Sequence, residues 1–271
     1  MPDWTPVNLG SHLYAWFNAE DITGVSDGAD LSTWSDSSGN SRTLTGVSGK
    51  LPSYAASNLN SKPAVVFDGD EGLHGPTGEP DPFDFGSTDF NVVAVAKTDG
   101  DTAVTGTILQ DNDTFDGYSI YRVEVNGSFN FSVVKAGPSV IASNAVLTAT
   151  GGLLYGYEQI STTAKGYFNG ASSLSGTPDT SVATGTPLQV GYAGSSSAIT
   201  ANTGFKGSIS EIVFHTSNDT NERQKVEGYL AHKYGLTAGL DSAHPYKTAG
   251  PKITPFRPFS PGMIDGGLIQ A

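Results

Sequence analysis

Residues 205–236 constrain how this chain closes its fold. Phe205-Lys206-Gly207-Ser208-Ile209-Ser210-Glu211-Ile212-Val213-Phe214 alternates apolar and polar residues as a half-buried strand does. Glu222 to Leu236 then reads as one amphipathic helix, with Val226, Tyr229, Leu230 and Tyr234 on a shared face. Asp219 is placed to cap its start, with Glu222 three residues on, and Gly235 to end it in the left-handed conformation. A lone closing helix after a long run of strand signals implies a β-sandwich with one helix laid over it.

The rest of the chain supplies those strands. Leu13 to Phe17, Leu31 to Trp34, Ala64 to Phe67 and Phe90 to Ala96 carry strand signals. Further ones occur at 104–110, 117–125, 128–135, 140–148, 153–160, 164–169 and 187–192. Asn126-Gly127 and Asn169-Gly170 are two-residue hairpin signals between such runs. Residues 71–88 lack periodicity and are expected to form an irregular surface loop. The expected fold is all-β: a two-sheet antiparallel jelly-roll sandwich over residues 1–248, with one C-terminal helix. Pro251, Pro255, Pro258 and Pro261 punctuate the C-terminal segment, so residues 249–271 are expected to form an extended arm.

Charge and cysteine usage narrow the partners. A formal charge of −13 argues against nucleic acid, whose binding needs clustered Lys and Arg, and against an anionic membrane surface. With no cysteine, disulfides and thiolate metal sites are excluded. Only 15% of residues are charged, so the surface is largely Ser, Thr, Asn and Gly, as in many extracellular proteins, virion components and sugar-contacting modules. Met1 to Pro6 shows no basic or apolar leader pattern. The expected location is therefore a virion assembled in the host cytoplasm and released without a cleaved signal.

Six segments in order resemble one family. They are Asn18-Ala19-Glu20-Asp21, Trp34-Ser35-Asp36-Ser37-Ser38-Gly39-Asn40, Lys62-Pro63-Ala64-Val65-Val66-Phe67-Asp68-Gly69-Asp70, Tyr167-Phe168-Asn169-Gly170, Gln189-Val190-Gly191-Tyr192, and the closing helix with His244-Pro245-Tyr246-Lys247. Together they are similar to the laminin-G-like, concanavalin-A-like jelly-roll modules of phage and bacterial surface proteins. The resemblance implies a scaffold rather than a chemistry. Members serve as sugar-binding modules, adhesion modules and phage structural proteins, and fold alone does not select among them.

Catalytic and metal motifs are sparse. Sandwich glucanases of related fold carry a Glu-x-Asp-x-x-Glu strand, a spacing this chain does not have. Glu124 and Glu158 are the candidate inner-face carboxylates for glycoside cleavage, and neither has a carboxylate two residues on. The expectation is a chain that is not an enzyme. Asp111, Asp113 and Asp116, and in a second acidic turn Asp68 and Asp70, are candidate calcium ligands, because hard cations take converging oxygen donors. The plainer reading of both is a solvated turn, and no cofactor is expected beyond calcium. Trp16 and Trp34 are expected in the core, whereas Trp4 is free to meet a partner.

The arm carries Ile253, Phe256, Phe259, Met263, Ile264, Leu268 and Ile269, large apolar groups in a stretch that prolines hold extended. They are expected to dock on a neighbouring chain. The main functional expectation is a phage virion structural protein, most simply a capsid decoration or tail/fibre component. Its partners would be copies of itself and virion proteins such as the major capsid protein. The alternative is a lectin-like carbohydrate-binding adhesion module that takes a surface glycan.

Overall fold

The computed structural model describes residues 3–253 apart from 79, 100–104, 113–116, 126–127, 136–139, 147–150, 179, 181–184 and 201–202. Two antiparallel sheets of eight strands each face one another. The first contains β1 (Leu13–Asn18), β4 (Ser53–Ala55), β5 (Ala64–Asp68), β7 (Phe90–Thr98), β12 (Gly152–Ile160), β13 (Thr163–Phe168), β14 (Ala171–Gly176) and β18 (Lys206–His215). Its order is β14-β13-β12-β7-β18-β5-β4, with β1 also paired to β18. The second contains β2 (Thr33–Trp34), β3 (Leu44–Gly46), β6 (Leu73–His74), β8 (Thr105–Asn112), β9 (Gly117–Val125), β10 (Ser128–Lys135), β11 (Val140–Val146) and β15 (Gln189–Val190). Its order is β11-β10-β9-β8-β15-β6-β3-β2. A small hairpin, β16 (Gly194–Ser195) with β17 (Ala198–Ile199), stands apart. The all-β sandwich expected from the sequence is the architecture found.

Strand alternation divides each sheet into an inner and an outer face. Phe90, Val92, Ala94 and Ala96 of β7 join Tyr155 and Tyr157 of β12 and Ile212 and Phe214 of β18 in the core between the sheets. Trp34, Leu44, Leu73, Leu109, Ile120 and Val190 meet them from the second sheet. A second, smaller core lies on the far side of the first sheet. There Val93, Val95, Leu154 and Val213 pack against Val226, Leu230 and Ala231 of helix α1 (Thr220–Lys233) and against Tyr234, the residue that follows it. Asp219 caps α1 by accepting from the Asn221 N–H at 2.9 Å, and Gly235 ends it at φ +68°. Within α1, Gly228 is required by a close approach, since a Cβ there would lie 2.4 Å from Cβ of Tyr246.

The family-like motifs prove to be structural joints. Asp36 accepts from the backbone N–H groups of Trp16 (3.0 Å), Ser38 (2.8 Å) and Arg42 (3.0 Å), which ties the loop after β2 to β1. Asn40 and Arg42 donate to the Tyr14 carbonyl from the same loop. The Asn169-Gly170 turn joins β13 to β14 with φ +50° and +78°, the left-handed pair that a tight hairpin needs. Asn126-Gly127, its counterpart between β9 and β10, lies outside the described residues.

One segment departs from expectation. Residues 71–88 are not a surface loop: Leu73 and His74 form β6, and Phe83 and Phe85 are buried. Phe85 stacks on Phe90 with ring centroids 4.0 Å apart, and Phe83 lies 5.1 Å from Phe214. These rings enter the core from irregular backbone, so no strand or helix period marks them in the sequence.

Candidate functional site

Polar side chains beneath α1 form a closed network. Glu158 of β12, Asn91 of β7 and His215 of β18 stand in register across three strands on the helix side of the first sheet. Arg223 of α1 reaches down to Glu158 (Nε–Oε2, 3.1 Å) and along its own helix to Glu227 (2.5 Å). Glu227 is 3.1 Å from Nε2 of His244, and Tyr167 donates to Glu158 at 3.0 Å. The Arg223 guanidinium also sits 3.7 Å above the Tyr167 ring. Further along the helix, Glu211 accepts from Trp16 Nε1 (2.6 Å), Lys233 Nζ (2.6 Å) and the Tyr234 hydroxyl (2.9 Å). Burial pushes the Glu211 carboxyl up, while these donors pull it back. Burial pushes His215 down to about 3, helped by the Arg223 charge, and neither of its ring nitrogens has a hydrogen-bond partner. Charges so enclosed and mutually paired hold the helix to the sheet; they have no access to a ligand.

This arrangement corrects the reading of Glu158. It faces the helix rather than the inner core, where Arg223, Lys165 and Tyr167 occupy its oxygens. Glu124 lies on β9, and its side chain is outside the described residues.

The outer face of the second sheet is different. Thr33 pairs with Thr45, Thr45 with His74, His74 with Gln189, Gln189 with Gln110, and Gln110 with Ser119. Each stands next to a core residue: Trp34, Leu44, Leu73, Val190, Leu109 and Ile120. Alternation therefore turns the whole polar set outward. The result is one continuous row across six strands, roughly 24 Å long at ~4.8 Å per strand. Thr33 and Thr45 are exposed, His74 and Gln110 half-buried, and Gln189 and Ser119 buried. No Asp, Glu, Lys or Arg stands in the row.

Gln189 organises the centre. Its Oε1 accepts from Gln110 Nε2 (2.9 Å) and from the Gly194 N–H at the β16–β17 hairpin (2.7 Å), which fixes the amide's orientation. Its own Nε2 is fully buried without a hydrogen-bond partner. Nδ1 of His74 lies 2.7 Å from the Gly75 carbonyl, so it carries the proton and leaves Nε2 as an acceptor. Hydroxyls, an amide and an imidazole acceptor side by side suit a ligand whose groups both donate and accept.

The residues singled out in the sequence lie elsewhere. Asp68 is exposed and accepts from the Asp70 N–H, and Asp70 pairs with Lys50. Beside them, with Asp30, lies a surface cavity of about 280 Å³. Glu71 on its wall is pushed up to about 7, first by burial and then by Asp68, Asp70 and Asp30. Asp111 is buried on the inner side opposite Tyr118, and Asp113 and Asp116 lie outside the described residues. Among the described residues no three His, Asp or Glu side chains group as metal ligands would. Trp34 is fully buried. Trp4 is buried too, edge-on to Tyr229 at 6.3 Å, so it is not free for a partner.

Of the seven arm residues, Ile253 packs against the second core of its own domain. Pro251 accepts from Trp4 N–H at 3.1 Å, and Lys252 pairs with Asp3. Phe256, Phe259, Met263, Ile264, Leu268 and Ile269 lie outside the described residues.

No family model matches the chain, and no curated protein does. Solved structures do. Domain 4 of AbnA, a GH43 extracellular arabinanase from Geobacillus stearothermophilus in complex with arabinotriose, is 21% identical at TM-score 0.53, over 76% of this chain and 93% of that one. A Trypanosoma rangeli sialidase in complex with sialic acid is 13% identical at TM-score 0.58, over 82% of this chain and 33% of that one. The binding domain of botulinum neurotoxin DC in complex with SialylT is 10% identical at TM-score 0.56, over 82% and 52%. The chain thus spans about a third of the sialidase and half of the toxin domain.

These matches overturn the expectation that the chain is not an enzyme. Domain 4 of an arabinanase and about a third of a sialidase chain share the fold, so the missing carboxylate motif does not exclude an enzyme. None of these three structures is a phage protein. At these identities the shared property is the fold: this chain has a jelly-roll-like β-sandwich, as do domain 4 of that arabinanase and parts of the sialidase and toxin chains.

Proposed function

We propose that the chain is a glycan-binding module whose binding surface is the outer face of the second sheet, where Thr33, Thr45, His74 and Gln110 reach solvent. The observation that carries this reading is the polar row Thr33-Thr45-His74-Gln189-Gln110-Ser119 with its buried amide centre. An unmet donor as deep as Gln189 Nε2 costs about 1–3 kcal/mol. A leucine would avoid that cost but would take away the acceptor that Gln110 Nε2 and the Gly194 N–H share, so the glutamine is accounted for by the two bonds its Oε1 accepts. Its role is to position Gln110 and the β16–β17 hairpin beside His74.

The neighbours' ligands favour the second sequence expectation, a carbohydrate-binding module, over the first. A capsid-decoration role with a major capsid protein partner has no comparable support. Binding to immobilised polysaccharides, wild type against Gln189→Leu, tests the proposal. Retention should fall in the variant at temperatures well below its own melting transition, since the change sheds one unmet donor but also loses the two bonds that place Gln110 and the hairpin. Equal retention by both proteins would remove Gln189 and its row from the function.

A further inference from the structure

The chemistry and shape of the row narrow its ligand. This step rests on the glycan-binding reading above. We infer that the ligand is an uncharged, linear glycan lying across the strands, and that acidic sugars are disfavoured.

Shape gives the direction. β2, β6 and β15 have two residues each, and each turns one of the two into the core. At those strands the polar band is therefore one outward residue wide, while across the sheet it runs through six strands. A chain of linked units running across the strands meets Thr33, Thr45, His74 and Gln110 in turn, with the buried Gln189 holding Gln110 in place from beneath; a compact ligand reaches fewer of them.

Charge gives the class. A carboxylate desolvated on a protein surface needs Arg or Lys to offset the lost water. The row offers none. Arg223, Lys165 and Lys233 are committed on the opposite side of the sandwich, and Lys50 is paired with Asp70. A formal charge of −13 repels an anion at longer range. The acidic turn Asp68-Gly69-Asp70-Glu71, which Gly72 joins to β6, adds to this. Sugar hydroxyls donate and accept at once, matching the threonines, the Gln110 amide and the acceptor nitrogen of His74.

Calorimetric titration of the full chain decides the matter. One series is a ladder of neutral arabino-, xylo- and gluco-oligosaccharides; the other is matched oligomers bearing a uronic or sialic acid. The inference predicts affinity that rises with length in the neutral ladder, and acidic oligomers weaker by roughly tenfold or more. Equal or tighter binding of the acidic set would overturn the inference but leave glycan binding standing. Failure of every oligomer would overturn the glycan-binding reading itself. Thr45→Lys, at an exposed position, should bring the acidic oligomers at least about tenfold closer at low salt. No change in that variant would show that the glycan lies off this row.

Discussion

Beneath α1 the outer face of the first sheet carries charged groups that find partners within the fold, whereas the outer face of the second sheet carries hydroxyls and amides and has no ionised partner in its row. Both faces arise from the same alternation of strand residues. What differs is the cover. On the first sheet a helix excludes water, so every carboxylate must be matched inside the fold: Glu158 and Glu227 by Arg223, Glu211 by Lys233. On the second, solvent reaches Thr33 and Thr45 directly, and uncharged polar groups suffice. A buried charged cluster in a sandwich therefore marks where the fold is fastened. The less conspicuous neutral row is where the proposed glycan would bind.

The largest effect should come from breaking the covered face. Arg223→Ala leaves Glu158 and Glu227 buried without their cation and should cost about 3–5 kcal/mol in denaturant unfolding. A loss under about 1 kcal/mol would mean the network does not fasten the helix. Leu230→Ala, which opens a cavity in the same small core, should cost about 2–5 kcal/mol. An unchanged melting curve would contradict the docking of α1.

A pH series sharpens the contrast. His215 is pushed from 6.5 down to about 3 in the folded state, so the unfolded chain binds more protons between those values. Its contribution is fully present above about 6.5 and is lost as pH falls toward 3, by up to a few kcal/mol. His215→Leu should flatten the acid limb of the stability curve. Glu71 works in the opposite sense: raised from 4.5 to about 7, it destabilises progressively as pH climbs through that window. Glu71→Gln should relieve that slope. The smallest change belongs to the open face, where Thr45→Val should shift stability by no more than about 0.5 kcal/mol.

The sandwich, its closing helix and the Asn169-Gly170 hairpin were legible in the sequence because each rests on local rules: alternation, a 3.6-residue face, a turn that demands left-handed residues. The polar row was not. Its members come from positions 33, 45, 74, 110, 119 and 189, and only cross-strand register sets them side by side. In the sequence His74 appears as one scattered histidine and Gln189 as part of a strand. Phe83 and Phe85 escaped for a related reason, since rings that enter the core from irregular backbone leave no period. Glu158 was visible as a buried-strand carboxylate, but the face it points to depends on where α1 lies.

Backbone amide chemical-shift mapping with a neutral oligosaccharide tests the central claim most directly. Shifts should run along the row through Thr33, Thr45, His74, Gln110 and Gln189, with α1 silent. Shifts concentrated on α1 or around the Asp70–Glu71 cavity, with the row unmoved, would contradict it.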